Sequence, residues 1–362
     1  MPACYSSQPY ARGHDVGMSG SVAVRLRETG VAAVGLLVSA VSLILVARSV
    51  DVATAGRLIA RAAIGPLIVA LAVYLVGLAL RFVIWQTLLP PRPDGSRVSA
   101  GQLAPILMVG LLGNAVLPAR LGEVIRAYLV SRRENIAFGG ALGSVALERV
   151  VDTATLAVMA FVAAIGAGAA VWVVQGTGLL AVAGIVLLVA LATTGLRPLL
   201  GLLARLSAIR ALEAPVAAVH RRLERFVHWS GGAHRRRAMG ITLGLSAAAW
   251  FCNAALFLMV GQAVGASISP VDALLIMAVT VLATAIPSAP AYVGTFELAA
   301  VTMATSLGVP AETALALAVL THALGLLPTA IGGSAALAYL GGGLRVLSAT
   351  AAEEGRMQAE NS

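Results

Sequence analysis

Four apolar runs dominate the chain, at about Ile64–Leu89, Gly139–Gly166, Ala238–Val264 and Thr313–Leu340. Each exceeds the roughly 20 residues a helix needs to cross a hydrocarbon core of about 30 Å. Val31–Ala47 and Gly178–Thr194 are read as two further spans. In lipid every backbone N–H and C=O must be satisfied within the segment, so these runs fold as helices. A β-barrel needs aromatic girdles, and aromatic residues make up only 5% of the chain. Charged residues are 11%, against about 25% in a soluble domain. That is too little charge to cover a water-facing surface. A soluble enzyme and a disordered chain are both excluded. The expected class is an all-α polytopic membrane protein with about six full transmembrane helices.

Two apolar stretches fit that scheme poorly because they are short. Leu103–Leu117 ends in Pro118 and runs into Arg120-Leu121-Gly122-Glu123. Ala273–Ile286 stops at Pro287-Ser288-Ala289-Pro290 and is followed by Gly294–Ser306. A stretch of roughly 15 residues that ends in Pro reads as a half-helix that enters and turns back. Pro118 and Gly122 mark the first turn; Pro287, Pro290 and Gly294 mark the second.

Domain boundaries follow from polarity. Residues 1–29 form a polar tail, within which Met18 is a second candidate start. Residues 30–343 form one transmembrane domain, and residues 344–362 a polar tail. Between the spans, Gly195–Arg237 holds nine Arg against Glu213 and Glu224, a net of +7, with leucines at helical spacing. It is read as interfacial amphipathic helix on anionic phospholipid. With the N-terminus and this linker in the cytoplasm, 21 of the 25 basic residues lie inside. Arg48, Arg57 and Arg61 then lie outside, and Arg149 within a span. Both termini are expected on the cytoplasmic side of the cell membrane. The net charge of +9 reflects this asymmetry, not nucleic-acid binding.

The two interrupted regions resemble each other. Leu117-Pro118-Ala119-Arg120-Leu121-Gly122-Glu123 matches Ile286-Pro287 through Gly294-Thr295-Phe296-Glu297. About 25 residues after each Glu an Ala/Leu-rich span sets Glu148-Arg149 against Thr321-His322. The halves, about 101–166 and 271–340, would enter from opposite sides as an inverted repeat. Paired Pro-interrupted segments of that kind point to a site at the bilayer midplane.

Charges inside spans cost about 2.5–3.5 kcal/mol each on insertion scales, so each one needs a reason. Glu148, Arg149 and Asp152 share one arc of a helix, and Arg149 can pair with Asp152 at i,i+3. One acid is then left over; alternatively the group is a packing lock. Asn114, Arg120, Glu123 and Arg126 surround the first turn. Arg120 shares a face with Glu123, and Glu123 with Arg126, a candidate phosphate cradle or an interfacial turn whose arginines reach water. Glu297 is the one charge between Asp272 and Glu312. His322 is either a titrating or a packing residue. Gly139/Gly143, Gly240/Gly244 and Gly261/Gly265 suit close helix packing. The histidines and the cysteines Cys4 and Cys252 show no metal-ligand spacing, so no metal or cofactor is expected.

The set Asn114-x-x-Leu117-Pro118-x-Arg120-x-Gly122-Glu123-x-x-Arg126, Leu147-Glu148-Arg149-x-x-Asp152 and Pro287-x-x-Pro290-x-x-x-Gly294-x-x-Glu297 resembles the flippase-like membrane domain of lysylphosphatidylglycerol synthases and its free-standing relatives. The resemblance spans about residues 30–340. It implies a translocator of phospholipid or polyprenyl lipid, with the motif residues lining the cavity. Two departures stand out. Pro290-Ala291 replaces the family's frequent Pro-Gly, and no aminoacyl-transfer domain follows the last span, so synthesis of lysylphosphatidylglycerol is not expected. No P-loop, HExxH, GxSxG or DxD occurs, and the expectation is a lipid translocator that is not an enzyme. The alternative is a membrane-embedded glycosyltransferase-like enzyme, or a scaffold for envelope or hopanoid lipid export.

Overall fold

The computed structural model describes residues 18–117, 120–193 and 232–341. Every regular element among them is helical. α1 is Met18–Ser49, α2 Val52–Ala60 and α3 Ile64–Leu88; α4 is Ala100–Val116, α5 Gly122–Glu134, α6 Phe138–Gly166 and α7 Val171–Thr193. α8 is Gly232–Ala263, α9 Pro270–Ala283, α10 Thr295–Ser306 and α11 Ala311–Tyr339. α3, α6, α7, α8 and α11 are long and apolar enough to cross a membrane. Among the described residues, a sixth span is reached only if α1 and α2, bent by 87°, count as one. The bend starts a new helix at Asp51, whose carboxylate accepts from the backbone N–H of Ala53 and Thr54.

Residues 18–29, ahead of the first apolar run, are helical as part of α1. α2 does not stand out in the sequence, because nine residues are too few to register by hydropathy. Pro118, the 195–231 part of the basic linker and the tail beyond 341 lie outside the described residues.

α4 and α9 are the two short apolar helices. At about 1.5 Å per residue they reach only about 21–25 Å. α4 folds back on α5 as an antiparallel hairpin. Small residues make this approach: a Cβ on Gly122 would lie 1.9 Å from the carbonyl oxygen of Gly110, and one on Gly113 2.8 Å from Gly122 Cα. α9 and α10 pair in the same way. The packing between halves is reciprocal. α4 lies against α11, the long helix of the second half, and α9 against α6, the long helix of the first.

α1 covers the second hairpin turn, where Ser39 Oγ accepts from Ala289 N–H at 2.8 Å. The large apolar core joins α6, α8, α9, α10 and α11. A second core, around Trp85, Leu103, Ile106 and Val130, seats the first hairpin. Of the anticipated glycine pairs, Gly240 and Gly244 face open space.

Candidate functional site

The two hairpin turns meet. Arg120, at the first turn, donates through Nη2 to the carbonyl and Oγ of Thr284, at 3.3 and 3.2 Å. Its guanidinium lies 5.7 Å from the ring centroid of Tyr292, at the second turn. Both turns use left-handed backbone at residues that carry a Cβ: Arg120 has φ 56°, Ala291 56° and Tyr292 60°. Such geometry costs about 1–2 kcal/mol per residue and persists where its surroundings hold it.

A cavity of about 260 Å³ opens beside this junction. Asn114, Arg120, Glu123, Arg149 and His322, all singled out from sequence, line it. Tyr74, Asn253, Thr284, Tyr292, Phe296 and Thr321 complete its polar and aromatic wall. A second space of about 90 Å³, lined by Arg81, Arg126 and Glu148, shares Leu111, Asn114 and Arg149 with the first. Asn114 Oδ1 and Thr321 Oγ1 are buried without a hydrogen-bond partner, and Glu123 Oε1 and Arg149 Nε make no hydrogen bond but form an ion pair with each other at 3.5 Å. A buried polar group left unpaired costs about 1–3 kcal/mol.

The charges are paired differently from the spacing-based reading. Arg126 meets Glu148 at 3.0 Å, on the next helix, and not Glu123. Arg149 lies between acids, 2.6 Å from Glu148 and 3.5 Å from Glu123. Asp152 does approach Arg149, at 3.7 Å. Its nearer partners are Arg81 at 3.1 Å and the Ser246 hydroxyl at 2.7 Å. All three acids therefore have an arginine. Among the charged side chains that line the larger cavity, the one without an oppositely charged partner among the described residues is a cation, Arg120, rather than an acid. The second half adds one more pair: Glu297 Oε1 and His322 Nδ1 are 2.6 Å apart, and the imidazole stacks on Phe296. Gly122 sits where the first hairpin is tightest, and Gly294 sits where the second turn meets Ser39 of α1, while Pro287 and Pro290 are exposed at the second turn.

An equivalence appears in these pairs. The acid on the second arm of each hairpin meets a base on the long helix that follows: Glu123 with Arg149, Glu297 with His322. The sequence alignment of the halves pairs these residues too.

Arg81 escaped the sequence reading, which counted it with the cytoplasmic arginines. It lies inside α3, with its guanidinium 4.6 Å from the Trp250 ring centroid. An arginine within an apolar span was the available signal. Thr284, Tyr292 and Asn253 carried none, since neutral polar residues at span ends are ordinary.

The sequence profile of the lysylphosphatidylglycerol synthase TM region matches residues 32–333. The chain belongs to this family. A relative from Haloferax volcanii, named Glycosyltransferase AglD, is 30% identical over 355 residues. The match covers 88% of this chain and 55% of the relative, so the chain spans about half the relative's length. No solved structure matches. The relative's name overturns the expectation of a non-enzymatic chain, which rested on missing motifs. Such motifs are one way among several to hold a substrate, and their absence excludes little.

Proposed function

We propose that the chain takes part in a glycosyltransferase-like process at the membrane, with its cavity receiving the phosphate of a lipid-linked substrate. Arg120 carries the reading: it is a cation without a carboxylate partner, held at the meeting point of both hairpins. A guanidinium suits a phosphate through two parallel hydrogen bonds. Asn114, Asn253 and Thr321 provide neutral donors and acceptors, and Tyr292 and Phe296 provide flat faces, a mixture that suits a hydroxyl-rich group beside the phosphate. The name of the Haloferax volcanii relative supports the same reading.

A second reading, a translocator of the same class of lipid, is favoured by one observation. The two cavities share Asn114 and Arg149, which extends a polar track toward Arg81, Arg126 and Glu148. Two hairpins too short to cross, with touching turns, suit a midplane site in an inverted repeat. In both readings the N-terminus and basic linker lie in the cytoplasm, the linker against anionic lipid.

The test is reconstitution of the full chain in vesicles containing a polyprenyl phosphate. Nucleotide sugars are offered, and lipid binding, sugar transfer and leaflet exchange are measured. Arg120→Gln should weaken binding of the lipid phosphate about 10- to 100-fold. Binding with transfer supports the first reading. Binding and leaflet exchange without transfer support the second. Folded protein that binds no lipid phosphate overturns both.

A further inference from the structure

The second hairpin turn holds three residues with positive φ: Ala291 at 56°, Tyr292 at 60° and Gly294 at 92°. Two contacts hold this backbone in place. His322 Nε2 lies 2.8 Å from the carbonyl oxygen of Ala291, and the Gly294 N–H donates to Glu297 Oε2 at 2.6 Å. Between them, His322 Nδ1 and Glu297 Oε1 are 2.6 Å apart. A carbonyl only accepts, so Nε2 carries a proton. The Nδ1–Oε1 contact holds another, on the ring or on the carboxyl.

We infer that Glu297 and His322 form a buried proton-binding site that sets how strongly the cavity holds an anion through Arg120, an inference that rests on reading the cavity as a lipid-phosphate site. With its full set of protons the pair sums to zero charge. Loss of one proton leaves a net negative charge and breaks a contact. Either the bare Nδ1 faces the carboxylate, or the tautomer shifts and the bare Nε2 faces the Ala291 carbonyl. Tyr292, next in the chain, is the ring on which Arg120 rests. Deprotonation therefore loosens that support and sets a negative charge beside the place where a phosphate would sit. The equivalent pair in the first half, Glu123 with Arg149, cannot respond in this way, because a guanidinium keeps its proton.

The other titratable groups on the cavity wall are Tyr74 of α3, Arg120 and Tyr292 at the turns, Glu123 of α5 and Arg149 of α6. α4 and α8 present the amides of Asn114 and Asn253. α2 and α9 contribute no titratable side chain to this wall. The sign is fixed by charge: proton uptake favours the anion, and a bound anion favours the proton to the same degree.

Two readouts test this on the full chain across a pH series, with Glu297→Gln and His322→Gln beside the native pair. The first is binding of a fluorescent polyprenyl phosphate. It should weaken at least about tenfold as pH rises in the native pair and change less than about twofold in either variant. The second needs no lipid. Val293→Cys, in a chain with Cys4 and Cys252 replaced by Ser, reports turn opening through labelling by a hydrophilic thiol reagent, corrected for thiolate fraction. Labelling should rise with pH in the native pair and stay flat in both variants. A rise retained in both variants, or a flat response in the native pair, overturns the proton site. A pH-dependent turn without any lipid-phosphate binding overturns the phosphate reading and the link to it, while supporting the proton site.

Discussion

At the scale of the residue, the turn at Ala291 shows how a departure from a family pattern is absorbed. Where Pro-Gly is frequent in the family, this chain has Pro290-Ala291, and the alanine itself adopts left-handed backbone, with φ 56°. Glycine removes the Cβ conflict but loses more chain entropy on folding. Ala291→Gly should therefore stabilise the protein by a net of about 0.5–1 kcal/mol, read as a higher unfolding temperature in detergent. Arg81 teaches the opposite lesson, because Asp152 depends on it. Arg81→Met should cost about 3 kcal/mol or more by leaving the Asp152 carboxylate short of its nearest cation in a buried site. Adding Asp152→Asn should recover part of that loss, so the two changes should not be additive in thermal unfolding. None of these pairings was legible in the sequence. Spacing arguments see neighbours at i,i+3 and i,i+4 on one helix. Arg126 with Glu148, and Arg81 with Asp152, join different helices.

At the scale of the element, the first hairpin depends on the absence of side chains at Gly110, Gly113 and Gly122. Gly122→Ala would force backbone apart at 1.9 Å from the Gly110 carbonyl oxygen. It should destabilise the protein by about 1–3 kcal/mol or prevent folding. Gly101→Ala, on the same hairpin and with nothing within 4 Å of the added carbon, should leave the unfolding temperature within about 1–2 °C. The shortness of α4 and α9 was readable, because length against bilayer thickness is a simple comparison. The glycine contact was not, since the spacing rule picked Gly240 and Gly244, which face open space. α2 was also hidden. It arises from an Asp51 cap and an 87° bend, and nine residues give too short a window for periodicity to register.

At the scale of the whole molecule, the reciprocal packing of α4 on α11 and α9 on α6 makes each half complete the other's core. The paired acids and bases, Glu123 with Arg149 and Glu297 with His322, repeat the pattern in chemistry. This arrangement predicts a specific accessibility map. Cysteine placed at 123 should react with a small hydrophilic thiol reagent, because its side chain lines the cavity. Cysteine at 144 should not, because Ser144 is fully buried beneath Trp85. Comparable labelling at both positions in folded protein would contradict the cavity.

Arg120 also bears on how the molecule is made. Its partners Thr284 and Tyr292 are synthesised long after it, Thr284 some 164 positions later in the chain. Until that segment is made, the first hairpin lacks the contacts that hold its guanidinium in the finished bundle, which makes the last third of the chain the step that commits the first third to its place.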